Sequence, residues 1–131
     1  MATTPVEVLV IDDQPFFTTM LRNVLEQHGY RVLTAGNGPE GLALAGKQKP
    51  AAILLDIEMP GMDGFAVCQA LKQDPALKAI PVMILTATDD TKLNEKAFKA
   101  GADITALKSV SGDRLVNMLK LALSGGKPSE D

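Results

Sequence analysis

Residues 8–13 read Val8-Leu9-Val10-Ile11-Asp12-Asp13. Four apolar side chains in a row, with no polar alternate, suit a strand buried on both faces, and such strands belong to parallel sheets covered by helices. The run stops on two adjacent carboxylates, which burial in a core would penalise heavily. This strand must therefore cross the core and end at a rim where acids have a use.

Working outward, the pattern predicts a strand over Val6–Ile11 and a helix over Pro15–His28, with Phe17, Leu21, Val24 and Leu25 on one stripe. Pro15 suits the first turn of that helix and Gly29 its end. A strand over Tyr30–Ala35, a turn at Gly36-Asn37-Gly38 and a helix over Pro39–Gln48 follow. A third strand over Ala51–Leu55 ends at Asp56. The turn Pro60-Gly61-Met62-Asp63-Gly64 leads into a helix over Phe65–Lys72. A strand over Pro81–Leu85, a helix over Lys92–Lys99 closed by Gly101, a short strand over Ile104–Leu107 and a helix over Asp113–Leu123 complete the chain. Strand and helix alternate five times, and the first, third and fourth strands are apolar throughout. The expected fold is a doubly wound α/β domain, (β/α)5 and flavodoxin-like, with parallel strand order 2-1-3-4-5. Residues 1–124 would form this domain, and 125–131, Gly-Gly-Lys-Pro-Ser-Glu-Asp, a flexible tail.

A chain of 131 residues that is 46% hydrophobic can build one sizeable core. Its single cysteine, Cys68, excludes an internal disulfide and fits a reducing compartment. Net charge is −3, basic residues do not cluster, and there is no Trp and one Tyr, so direct nucleic-acid binding has little support. No apolar run approaches the ~20 residues of a membrane span, and no secretory leader is visible. A soluble cytoplasmic protein without membrane insertion is expected.

In a sheet of this order, ligands sit at the carboxyl ends of the strands, between strands 1 and 3. Asp12 and Asp13 follow strand 1, Asp56 strand 3, Thr86 strand 4 and Lys108 strand 5. Three carboxylates would meet in one cup. Two of them about 4 Å apart repel by roughly 4 kcal/mol at an effective dielectric near 20. Oxygen ligands with room for water and phosphate favour Mg²⁺ as the compensating cation. Asp56, alone at the end of the central strand, can attack phosphorus to give an aspartyl phosphate. Lys108 would add a second positive charge and Thr86 a hydroxyl, while small Ala87 leaves room for a phosphoryl group.

The motifs V8-L-V-I-D-D13, I53-L-L-D-I-E-M-P-G-M-D-G64, P81-V-M-I-L-T-A87 and G101-A-D followed by K108 resemble the receiver domain of bacterial two-component response regulators. The likeness covers residues 6–123, with four motifs in the family's order. It implies that Asp56 accepts a phosphoryl group from a histidine kinase or a histidine phosphotransfer protein. It implies Mg²⁺ on Asp13, Asp56 and the backbone carbonyl of Glu58, with Asp12 acting through a coordinated water. Thr86 and Lys108 would hold the phosphoryl group, and the Glu58 and Thr88 side chains at the rim would tune its slow hydrolysis. Such a module, with no output domain within this chain, signals by altered contacts with a downstream protein or by onward phosphotransfer. Two positions depart from the family: Thr105 replaces the aromatic residue of strand 5, and Ser109 replaces the proline after the lysine. A Thr cannot make the large inward rotation of a ring. These departures support a second reading, a phosphorylation-independent interaction module on the same fold.

Other readings of these residues are weaker. Asp12 and Asp13 could cap the first helix, Asp56 could serve a turn, and Lys108 could be solvated, but none of these explains the set. Gly36-Asn37-Gly38-Pro39-Glu40-Gly41 matches a dinucleotide-binding fingerprint but follows strand 2, away from the switch point. Gly41 to Lys47 nearly matches a phosphate-binding loop, but Gln48 stands where Ser or Thr is needed and a helix is expected there. His28 suits the C-terminal dipole of the first helix. An Asp-nucleophile hydrolase would want an acid/base two residues on, where Glu58 lies. Phe16, Met20 and Asn23 form a separate stripe of helix 1 suited to docking a phosphodonor.

Overall fold

The computed structural model describes residues 5–59, 61, 63–88 and 90–124. The elements in chain order are β1 (Glu7–Ile11), α1 (Pro15–Gln27), β2 (Arg31–Ala35), α2 (Gly38–Gln48) and β3 (Ala52–Asp56). They continue as α3 (Gly64–Gln73), β4 (Val82–Thr86), α4 (Thr91–Lys99), β5 (Ile104–Leu107) and α5 (Gly112–Leu123). The strands form one parallel sheet in the order β2-β1-β3-β4-β5, as the apolar runs imply. The largest departure from the expected bounds that matters chemically is at β3, which includes Asp56 and pairs it with Leu85 of β4. The tail expected over 125–131, and Pro60 and Met62 of the turn before α3, lie outside the described residues.

Successive strand residues point to opposite faces, so each apolar strand feeds two cores. Leu9, Ile11, Ile53, Leu55 and Ile84 pack on one side with Ala45, Val67, Cys68 and Leu71 of α2 and α3. Val8, Val10, Leu54, Met83 and Leu85 pack on the other with Phe17, Leu21, Leu25, Leu115 and Leu119 of α1 and α5. The inner strands β1, β3 and β4 are therefore covered on both faces, which explains their near lack of polar alternates, while β2 and β5 at the edges carry Arg31, Thr34 and Thr105. No helix among the described residues is long and apolar enough to cross a membrane.

Helix starts are set by local chemistry. Asp63, Asp90 and Ser111 accept backbone N–H groups of α3, α4 and α5, and α1 instead begins on Pro15. At α2, Asn37 Oδ1 accepts the Glu40 N–H while Glu40 Oε1 accepts the Gly36 N–H, both at 2.8 Å. The glycine-rich stretch is thus a capping box. Its last glycine, Gly41, packs so closely on β1 that a Cβ would lie 2.5 Å from Ile11 Cδ1. The near phosphate-loop pattern lies inside α2. His28 ends α1, donating from Nδ1 to the Val24 carbonyl at 2.9 Å.

Candidate functional site

The register aligns the carboxyl ends of the strands. Ile11 pairs with Leu55, Asp56 with Leu85, and Thr86 with Leu107. Asp12, Asp13, Asp56, Thr86 and Lys108 therefore emerge along one edge. Asp12, Asp56 and Thr86 are buried and Asp13 is half-buried.

Asp12 and Asp56 are fastened by the same device. Each Oδ1 accepts the backbone N–H two residues on: Gln14 at 2.9 Å and Glu58 at 3.0 Å. This leaves each Oδ2 free to face Lys108 Nζ, at 3.3 Å from Asp12 and 3.2 Å from Asp56. Neither of these Oδ2 atoms, nor the buried Oδ1 of Asp13, has a hydrogen bond of good geometry. The three acids each offer an oxygen, and these oxygens lie within 4.8 Å of one another. Burial raises the Asp56 pKa, and the nearby Asp12 charge adds to this; the Glu58 N–H and Lys108 oppose it without prevailing. Converging carboxylate oxygens that lack good hydrogen bonds, with no nitrogen or sulfur ligand among them, fit a hard divalent cation.

Lys108 follows β5, where its backbone N–H donates to the Thr86 carbonyl at 2.8 Å. Its side chain is 15% exposed and spans the cup. Burial pulls the ammonium pKa down, but the Asp56 and Asp12 charges outweigh burial, and the net shift is upward. Two neighbours were not singled out as site residues in the sequence. Gln14 Oε1 lies 3.3 Å from Nζ, and the Phe17 ring lies beneath it, 4.7 Å from Nζ to centroid. A polar residue directly after two acids is a faint signal for Gln14. Phe17 has no such signal, because its helical spacing assigns it to the core.

Thr86 stands at the end of β4 with its hydroxyl turned toward its own loop. Oγ1 donates to the Thr88 carbonyl at 3.1 Å and accepts the Thr88 N–H at 3.2 Å. Glu58, Ala87 and Thr88 are exposed at the rim. Thr105, half-buried on β5, pairs with Ile84. Beside it a cavity of about 300 Å³ is lined by Thr86, Thr105, Val110, Arg114 and Met118, among others. On α1, Phe16 is 83% and Met20 41% exposed, and Asn23 is exposed as well.

The model of the family described as "Response regulator receiver domain" matches residues 8–120, and the chain belongs to that family. It is similar to the protein PilH of Pseudomonas aeruginosa, 37% identical over 118 residues, covering 90% of this chain and 98% of that one. It is 43% identical over 95 residues to the response regulator PleD of Caulobacter vibrioides, covering 72% of this chain but 21% of PleD. Among solved structures, a putative response regulator from Chloroflexus aurantiacus superposes with TM-score 0.89 at 34% identity, covering 92% of this chain and 99% of that one. The chemotaxis protein CheY4 of Vibrio cholerae superposes with TM-score 0.87 at 28% identity, covering 91% and 99%.

Proposed function

We propose that this receiver domain accepts a phosphoryl group on Asp56 from a phosphohistidine of a histidine kinase or histidine phosphotransfer protein. The observation that carries this reading is the placement of Lys108 Nζ within 3.3 Å of both Asp12 Oδ2 and Asp56 Oδ2, beside a third acid. Asp56 Oδ2 is the nucleophile, because Oδ1 is tied to the Glu58 N–H. It attacks phosphorus with a lone pair; a P–O bond forms, the P–N bond to the donor histidine breaks, and its electron pair stays on the imidazole nitrogen, which takes a proton from water. The carboxylate form of Asp56 is the attacking species, so no base is required.

Asp13, Asp56 and the Glu58 backbone carbonyl would hold Mg²⁺, with Asp12 acting through a coordinated water. When bound, the ion supplies positive charge against the phosphoryl oxygens and the three acids. Lys108 supplies a second positive charge beside Asp56 Oδ2. Thr86 must release Thr88 for its hydroxyl to reach a phosphoryl oxygen. Glu58 and Thr88 at the rim govern access of the hydrolytic water, so the domain dephosphorylates itself slowly instead of turning over an external substrate.

The unit would span residues 1–124, act in the cytoplasm, and signal by altered contacts with a downstream protein or by onward transfer. The exposed Phe16, Met20 and Asn23 stripe suits the docking of the donor's helices, and Met20→Ala should slow transfer from a cognate donor. A second reading, a phosphorylation-independent interaction module, draws on Thr105, its adjoining cavity and Ser109. Intact mass after incubation with acetyl phosphate and Mg²⁺ separates the two. One phosphoryl group, absent in Asp56→Asn and with EDTA, supports phosphoacceptance. No adduct and no Mg²⁺ binding supports the interaction module.

A further inference from the structure

The Lys108 ammonium rests on an aromatic ring as well as on acids, and that ring comes from the core of α1. Phe17 is 8% exposed and packs with Leu21, Leu25, Leu85 and Leu115, so its position is set by the fold. The ammonium lies 4.7 Å above its ring centroid, within the range of a cation–π contact. We infer that Phe17 is a positioning residue for the phosphoacceptor reaction, a neutral platform that holds the Lys108 ammonium over the cup while its oxygen partners change. This deepens the reading of Asp56 as phosphoacceptor and rests on it.

The oxygen contacts of Lys108 are long. Lys108 has a flexible four-carbon stem, and its partners at Asp56, Asp12 and Gln14 lie at 3.2, 3.3 and 3.3 Å. Charge-assisted hydrogen bonds are typically shorter, about 2.7–2.9 Å. The Phe17 ring is a fourth contact that restricts the stem further. The chemistry of the step also favours a ring over another acid. An arriving phosphoryl group brings negative charge beside three carboxylates, so a further anion under Lys108 would oppose it. A π face carries no net charge and no single lone pair. The ammonium can then move from Asp56 Oδ2 to a phosphoryl oxygen without leaving the platform. A small cavity of about 80 Å³, lined in part by Phe17, Leu107 and Lys108, leaves room for that movement.

The test compares Phe17→Leu, which keeps apolar bulk, with Phe17→Tyr, which keeps the ring. Phosphorylation by acetyl phosphate with Mg²⁺ is followed by intact mass at several donor concentrations. Phe17→Leu should lower the maximal rate about three- to tenfold with little change in KM, and Phe17→Tyr should stay near wild type. In a Lys108→Ala background the Leu substitution should have no further effect, whereas a merely structural role would persist there. Should Phe17→Leu unfold, Phe17→Met takes its place. Independently of any phosphodonor, the Lys108 ε-methylene proton resonances should lie upfield in wild type and Phe17→Tyr and move downfield without the ring. Wild-type rates in Phe17→Leu, an equal loss in the Lys108→Ala background, or unshifted ε-methylene protons in wild type would each overturn the inference. A wild-type protein that takes no phosphoryl group overturns the phosphoacceptor reading instead, and the proton shifts still judge the contact.

Discussion

Asp56 Oδ2 lies 3.2 Å from Lys108 Nζ, yet the carboxyl titrates above its ordinary value of 3.8. Burial prevails over the ion pair. Because the folded-state pKa is raised, the favourable contribution of Asp56 is present below its unfolded pKa and lost as pH rises through the folded value. Ionised Asp56 therefore costs stability at neutral pH. Asp56→Asn can still accept the Glu58 N–H, and in metal-free buffer at pH 7 it should raise the urea midpoint above wild type. The gain should shrink as pH falls into the range where Asp56 protonates. A lower midpoint at pH 7 would contradict the assigned balance.

Lys108 opposes two buried carboxylates, so Lys108→Met should destabilise the metal-free protein by about 3 kcal/mol. The same change removes a competing cation and should tighten Mg²⁺ binding. Urea melts with and without Mg²⁺, together with amide titrations, check both effects. Weaker Mg²⁺ binding in Lys108→Met would refute the shared-cup geometry.

Mg²⁺ bound to the folded cup should stabilise wild type by about 2.7 kcal/mol at a hundred times its Kd, and EDTA should reverse this. Asp13→Asn removes one of the converging oxygens, so at the same Mg²⁺ concentration its stabilisation should fall well below that of wild type. Equal gains in the two proteins would place the ion elsewhere.

Thr105 has no ring to rotate into the cavity beside Thr86. Saturation with beryllofluoride and Mg²⁺ should shift the amides of Glu58, Thr86, Ala87, Thr88 and Lys108 strongly and those of β5 and α5 weakly. Large shifts across Ile104–Leu107 and α5 would show that the switch runs through strand 5 after all.

Gly64 opens α3 directly against the Asp56 loop: a Cβ there would lie 2.4 Å from Ile57 Cα and 2.6 Å from the Asp56 carbonyl oxygen. Gly64→Ala should cost about 2 kcal/mol or more and slow phosphorylation, because backbone beside Asp56 must shift. Gly46, on the open face of α2, has no such neighbour. Gly46→Ala should instead stabilise by about 0.5–1 kcal/mol through helix propensity. Thermal melts of both variants give the comparison.

The sheet was legible because β1, β3 and β4 are almost without polar alternates, and only a doubly covered parallel sheet buries such runs. Asp12, Asp13, Asp56, Thr86 and Lys108 were legible for a related reason, since each stands at the carboxyl end of a strand, and parallel strands bring such ends to one edge. Local chemistry also determined the capping at Asn37 and Glu40, whose partners lie within one turn. What tertiary structure alone decided is how these groups meet. Gln14 reads as an exposed polar residue and Phe17 as one more core position, because helical periodicity reports only which face is buried. That Phe17 lies under the ammonium of Lys108 depends on the packing of α1 against β1 and α5, which brings together segments far apart in the chain. That the Thr86 hydroxyl turns to Thr88 and not to Asp56 is likewise a rotamer choice made by a loop, and no spacing of residues encodes it.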